Sequence, residues 1–238
     1  MKIYSYNEID ELGEGLIRHY LGAEAEQTCC VDIEGFATEY LKLPLLYRTF
    51  AEQDTDKIGF IADGITSLRV YEGGVPVNRI FPKGTIVIER YLLREHESGR
   101  RRFTISHECA HYLMDRTVPG AAFHREYDNE RVYTQEDLRN LFNLHETQID
   151  RMGAALLMPR FMVRQVAAMH GYAGSIPVYG DSVLRVTDKL HIKRMANTMG
   201  VSFSAFLIRL RELGYLCYRP LSEFITEEMG LGLDGEPR

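Results

Sequence analysis

The constraint that reaches furthest into the fold is the pattern His107-Glu108-x-x-His111, inside the run from Arg102 to Met114. It asks for a helix, because there residues four apart share a face, and His107 and His111 can present two imidazole nitrogens to one metal ion. Glu108 stands beside that face and is placed to act on a metal-bound water instead of ligating the metal. Two histidines and a glutamate at this spacing arise from composition alone in on the order of one per cent of chains of this size. The local sequence argues for more than coincidence. Thr104 can cap a helix, no Pro or Gly interrupts the next ten residues, and Phe103, Ala110, Leu113 and Met114 form an apolar flank.

A chain of 238 residues with 45% hydrophobic content can bury a substantial core, as one domain or as one with a small accessory domain. The net charge of -6 speaks against non-specific binding of nucleic acid or membrane by the molecule as a whole. The first residues carry Glu8 where a signal peptide would be apolar, and no run approaches the length of a membrane span. The expectation is a cytoplasmic protein with no membrane partner. Cys29 and Cys30 are adjacent, Cys109 and Cys217 stand apart, and there is no C-x-x-C pair, so all four thiols are read as reduced. Cys109 follows Glu108 and points off the two-histidine face, which suits packing better than ligation.

Taken in order, Asn7 can cap a first helix with Ile9, Leu12, Leu16, Ile17, Tyr20 and Leu21 on one stripe and Gly22 as its stop. A second helix, Asp32 to Leu41, turns Ile33, Phe36, Ala37 and Tyr40 inward. From Leu45 to Leu93 the period shifts towards two. Runs at 58–62, 67–71 and 85–88, parted by turns at Asp63-Gly64, Gly73-Gly74 and Pro82-Lys83-Gly84, predict a small antiparallel meander. Glu95 to Arg102 reads as a charged, solvated connection into the metal helix. Thr117 to Tyr133 is a long polar loop of the kind that covers a site. Thr134 with Asp137 resembles a capping box opening a helix through Leu138, Leu141, Phe142, Ile149, Met152 and Leu156, limited by Pro159. That helix carries a polar insertion, His145-Glu146-Thr147-Gln148 and then Asp150.

A catalytic zinc site commonly takes three protein ligands and leaves its fourth position to water. For the third ligand the residues leave His124, His145, Glu146 and Asp150 open. Helix neighbours diverge by about 100°, so His145 and Glu146 cannot both face a metal, whereas Glu146 and Asp150 share a face. That pairing lets Glu146 ligate while Asp150 accepts a hydrogen bond from the far nitrogen of a ligating histidine. The competing reading is the solvated side of an amphipathic helix.

Two linked motifs carry a resemblance. Arg102-Phe103-Thr104-Ile105-Ser106-His107-Glu108-x-Ala110-His111, followed by Glu146-x-Gln148-Ile149-Asp150-Arg151-Met152-Gly153-Ala154-Ala155-Leu156-Leu157-Met158-Pro159, is similar to the ImmA/IrrE family of metallopeptidases. That family shows R-F-T-L/I-A/S-H-E-x-G/A-H and then E-x-E-A-N-x-F-A-A-x-L-L-M-P. Gln148, Ile149, Asp150 and Met152 stand where it commonly has Glu, Ala, Asn and Phe. The resemblance spans residues 30–165 and implies an α+β, zincin-like fold with a small antiparallel sheet packed on the HExxH helix. It implies Zn2+ held by His107, His111 and Glu146, with Glu108 as the catalytic base. The implied substrate is a protein, in the family a DNA-binding helix-turn-helix repressor cleaved at few sites. His124, Tyr127 and Tyr133 in the long loop are candidates to stabilise the transition state.

The expected division is a peptidase domain over 1–170 and a linker with a helical subdomain over 171–238. Gly171 to Asp181 reads as linker, and Lys189 to Leu216 as two helices about a tight turn near Gly200, resembling a helix-turn-helix. The region is basic, and Lys193, Arg194, Arg209 and Arg211 are candidate DNA or partner contacts. Its second helix offers few groups suited to base edges, so protein docking or packing is favoured over DNA. The tail from Glu223 is acidic and Gly-rich and is expected to fray. The rival functional class is a non-catalytic regulator with a structural metal.

Overall fold

Ser5, not Asn7, opens the first helix of the computed structural model, which describes residues 4–114, 122–125, 144–172 and 174–231. The Ser5 hydroxyl accepts from the Glu8 N–H at 3.3 Å and the Glu8 carboxylate accepts from the Ser5 N–H at 2.8 Å. This reciprocal cap satisfies two N–H groups that a helix start leaves unbonded. The chain is a mixed α+β protein whose contacts divide it into two units, Met1–Met162 and Val163–Arg238.

In the first unit, helix α1 (Tyr6–Leu21) buries Ile9, Gly13 and Ile17. Asp32 caps a single turn, α2 (Ile33–Gly35), which runs on as a π-helical turn over Phe36–Tyr40 and buries Ile33, Phe36 and Ala37. Strands β1 (Leu45–Arg48), β2 (Lys57–Ile61), β3 (Ser67–Glu72), β4 (Val75–Ile80) and β5 (Ile86–Glu89) follow. Helix α3 (Ser98–Met114), strand β6 (Ala122–Arg125) and helix α4 (Leu144–Leu157) come next, and helix α5 (Arg160–Met169) starts at the end of this unit.

The sheet departs from the expected meander. Its order is β1-β5-β2-β6, with β1 parallel to β5 and the other two pairs antiparallel. The run from Ser67 is not part of it. β3 pairs with β4 in a separate hairpin that turns on Gly73-Gly74, both at positive φ as tight two-residue turns of this type require. Burial on both faces of the central strands accounts for the difference. Phe60 and Val87 join Leu68, Val70 and Phe81 in one cluster, while β2 and β5 also pack against α3. Strands covered on both sides read as unbroken apolar runs and carry no alternation to reveal their pairing.

Helix α3 begins at Ser98, so Thr104 is interior to it, with its hydroxyl donating to the Arg100 carbonyl at 3.0 Å. The charged segment before the motif is therefore folded, as a 3-10 turn over Glu95–Glu97 and the first turns of α3. Arg101 pairs with Glu34 at 3.1 Å and Arg102 donates to the Val31 carbonyl at 2.6 Å. These arginines anchor the helix to the chain at 31–34 instead of facing water.

In the second unit, the stretch read as linker contains strand β7 (Ile176–Tyr179), which runs parallel to β8 (Leu216–Arg219). Helices α6 (Val186–Met199) and α7 (Phe203–Glu212) are joined through Gly200, at φ 66°, and the Ser202 hydroxyl caps α7 by accepting from the Ala205 N–H at 3.1 Å. Helix α8 (Leu221–Glu227) occupies the start of the tail expected to fray; Arg185 pairs with Glu227 at 2.6 Å and with Glu228 at 2.7 Å. Residues 232–238 lie outside the described residues. Among the described residues no helix is long and apolar enough to cross a membrane.

Candidate metal centre

Helix periodicity places His107 and His111 one turn apart on α3, with their rings 4.8 Å apart between centroids. Both are buried, at 2% exposure, and Glu108 is wholly enclosed. Helix α4 approaches this turn closely because residue 153 has no side chain. A Cβ there would stand 3.3 Å from the His107 backbone nitrogen and 3.4 Å from its Cα. The approach brings Glu146 and Asp150, one turn apart on α4, to the two histidines.

Three donor atoms converge. His107 Nε2 and His111 Nε2 are 3.1 Å apart, and Glu146 Oε2 is 3.6 Å from each. Tetrahedral ligands about 2.0–2.1 Å from a zinc ion lie about 3.3–3.4 Å from one another. The observed edges bracket that spacing, and the set of two imidazoles and a carboxylate is one that zinc takes, so the residues fit the ion. His107 Nδ1 lies 2.9 Å from Asp150 Oδ1. A carboxylate at that position accepts a hydrogen bond from Nδ1–H, which keeps the proton on Nδ1 and leaves the Nε2 lone pair for a metal. Burial works against the charge of Glu146, but while the imidazoles are protonated the bond with His111 and the charges of His111 and His107 outweigh it and hold its carboxyl below the ordinary range.

Glu108 lies on the sheet side of α3, against β2. A Cβ on Gly59 would stand 2.5 Å from Glu108 Oε1 and 2.5 Å from Thr104 Cγ2, so glycine there leaves room for the carboxylate in the position it takes. Cys109 is buried, and burial, with the Glu108 charge adding to it, pushes its thiol well above the usual range. It packs as a neutral thiol, and it is not among the converging donors.

Of the expected site residues, His107, His111 and Glu146 form the single group of three or more metal-ligating side chains found among the described residues, and Asp150 adjoins it. His124 falls in β6, where its backbone is the register partner of Gly59. Its side chain, that of His145, and the whole of Tyr127 and Tyr133 lie outside the described residues. Lys193 and Arg194 on α6 and Arg211 on α7 are exposed. Arg209 is not a surface contact, because it is fully buried with Glu212 3.1 Å from its guanidinium. Gly59 went unnoticed in the sequence. An isolated glycine inside an apolar strand run is the signal that marks such a close approach.

No curated protein sequence matches the chain. The family model of the IrrE N-terminal-like domain, Peptidase_M78, matches residues 38–211. That stretch takes in the sheet, both helices of the converging group, helix α6 and all but the last residue of helix α7, which makes a metallopeptidase the general functional class. With most of its length matched, the chain belongs to the IrrE N-terminal-like peptidase family.

Proposed function

We propose that this protein is a zinc-dependent endopeptidase that cuts a protein substrate, with His107, His111 and Glu146 as the metal ligands and Glu108 as the general base. The observation that carries the reading is the convergence of three donors beside an enclosed glutamate. A structural zinc site is commonly closed by four protein ligands, whereas the three that converge among the described residues suit a site with a position for water and substrate. When bound, the ion supplies Lewis acidity, lowering the pKa of water and polarising the scissile carbonyl.

The chain's own residues do the rest. Asp150 holds His107 in the tautomer that offers Nε2. Glu108 takes the proton of the attacking water and delivers it to the amine nitrogen as the C–N bond breaks, and the remaining carboxyl proton passes to the released amine, leaving a carboxylate and an ammonium. The donor that meets the developing oxyanion falls to His124, Tyr127 or Tyr133. The resemblance to ImmA/IrrE peptidases supports a helix-turn-helix repressor as the substrate. The four free cysteines fit a reducing cytoplasm.

Labelling of new protein N-termini in cells carrying the wild type or Glu108→Gln tests this reading. A small set of termini in DNA-binding proteins, seen with the wild type alone, is expected. Identical sets in both strains would remove hydrolysis as the function.

A further inference from the structure

We infer that the N-terminal helix α1 is a brace that fixes the rotation of the ligand helix α4, with Asp10 and Arg151 as its positioning pair. The inference rests on the ligand set proposed above. Helix α4 works on two opposed sides. At 100° per residue, Glu146, Asp150 and Gly153 cluster on one side and Gln148, Arg151 and Ala155 on the other. The first side meets α3.

The second side meets the N-terminal segment at three points. Gln148 Nε2 donates to the Tyr4 carbonyl at 2.7 Å. Arg151 Nε lies 3.1 Å from Asp10 Oδ1 while its Nη2 bonds Asp10 Oδ2, a two-pronged pair whose residues are only 7% and 2% exposed. Gly13 lets the helices touch, since a Cβ there would stand 2.6 Å from the Ala155 Cβ.

A two-pronged guanidinium–carboxylate contact is planar and directional, so it resists rotation of α4 about its own axis. That rotation is what the site tolerates least. Turning a helix by about 20° carries a group about 6 Å from its axis through about 2 Å, whereas metal–ligand distances are held within about 0.2 Å. Tyr4, Asp10 and Gly13 all precede residue 38, where the family match begins, so the brace lies outside the matched domain.

The test is titration of the 238-residue chain with Co2+, followed by its visible absorption, in the wild type, Asp10→Asn, Gly13→Ala, the exchange Gly13→Ala/Ala155→Gly, and Glu146→Ala. Asp10→Asn and Gly13→Ala should each weaken Co2+ binding about tenfold and alter the d–d spectrum, and the exchange should restore both. Wild-type affinity and spectrum in folded Gly13→Ala protein would overturn the brace, as would a loss that the exchange leaves unrepaired. Should Asp10→Asn fail to fold, Gly13→Ala decides, because alanine favours the helix. Glu146→Ala separates the two claims: wild-type Co2+ affinity in that variant would remove the ligand set itself.

Discussion

Gly59 limits the room at Glu108, and Asp150 orients His107. Gly59→Ala would drive a methyl group into the Glu108 carboxylate and the Thr104 side chain, each at 2.5 Å. Turnover should fall on the order of 10- to 100-fold with zinc content unchanged, as read by steady-state hydrolysis beside metal analysis. Asp150→Ala should act on the metal instead, weakening zinc on the order of 10- to 100-fold in a chelator competition, while Asp150→Asn keeps an acceptor for His107 Nδ1 and should retain most of the affinity. His107, Glu108 and His111 were legible because their relation is local, set by one turn of helix. Glu146 was not legible from periodicity, because the third converging donor lies on a different helix and its neighbours His145 and Asp150 were equally polar. The second motif of the family resemblance, not helix geometry, selected it.

At the scale of elements, the arginines at the start of α3 are structural. Arg102 donates to the Val31 carbonyl and Arg101 pairs with Glu34, so Arg102→Met should cost about 1.5–3 kcal/mol, measured as a shift in the urea midpoint with the slope unchanged. A charged run before a motif reads as solvated when its partners, here Val31 and Glu34, are remote in sequence. The same limit hid the sheet order. The strand runs were visible at β2, β3 and β5, and so was the Gly73-Gly74 turn, but the parallel pairing of β1 with β5 brings together segments that no local pattern connects. Strand β7 was missed for a simpler reason: at four residues flanked by Gly and containing Pro177, it carries the composition of a linker.

For the molecule as a whole, the family match runs from residue 38 to 211 and so crosses from the first contact unit into the second. The surface cations Lys193, Arg194 and Arg211 remain on the second unit, while Arg209 is withdrawn into its interior. With that loss and an overall charge of -6, duplex DNA should bind no better than in the non-specific range at physiological salt. Fluorescence anisotropy checks this; tight binding that weakens steeply with salt and with Lys193→Glu would restore the DNA reading.

The central claim, that one metal on two helices hydrolyses peptide bonds through Glu108, meets its most direct test in purified protein at matched zinc content. Wild type and Glu108→Gln should each hold one zinc per chain, and cleavage of a peptide substrate should fall on the order of 10²- to 10⁴-fold in the variant. A zinc-loaded, folded Glu108→Gln protein that cleaves at the wild-type rate would contradict the account.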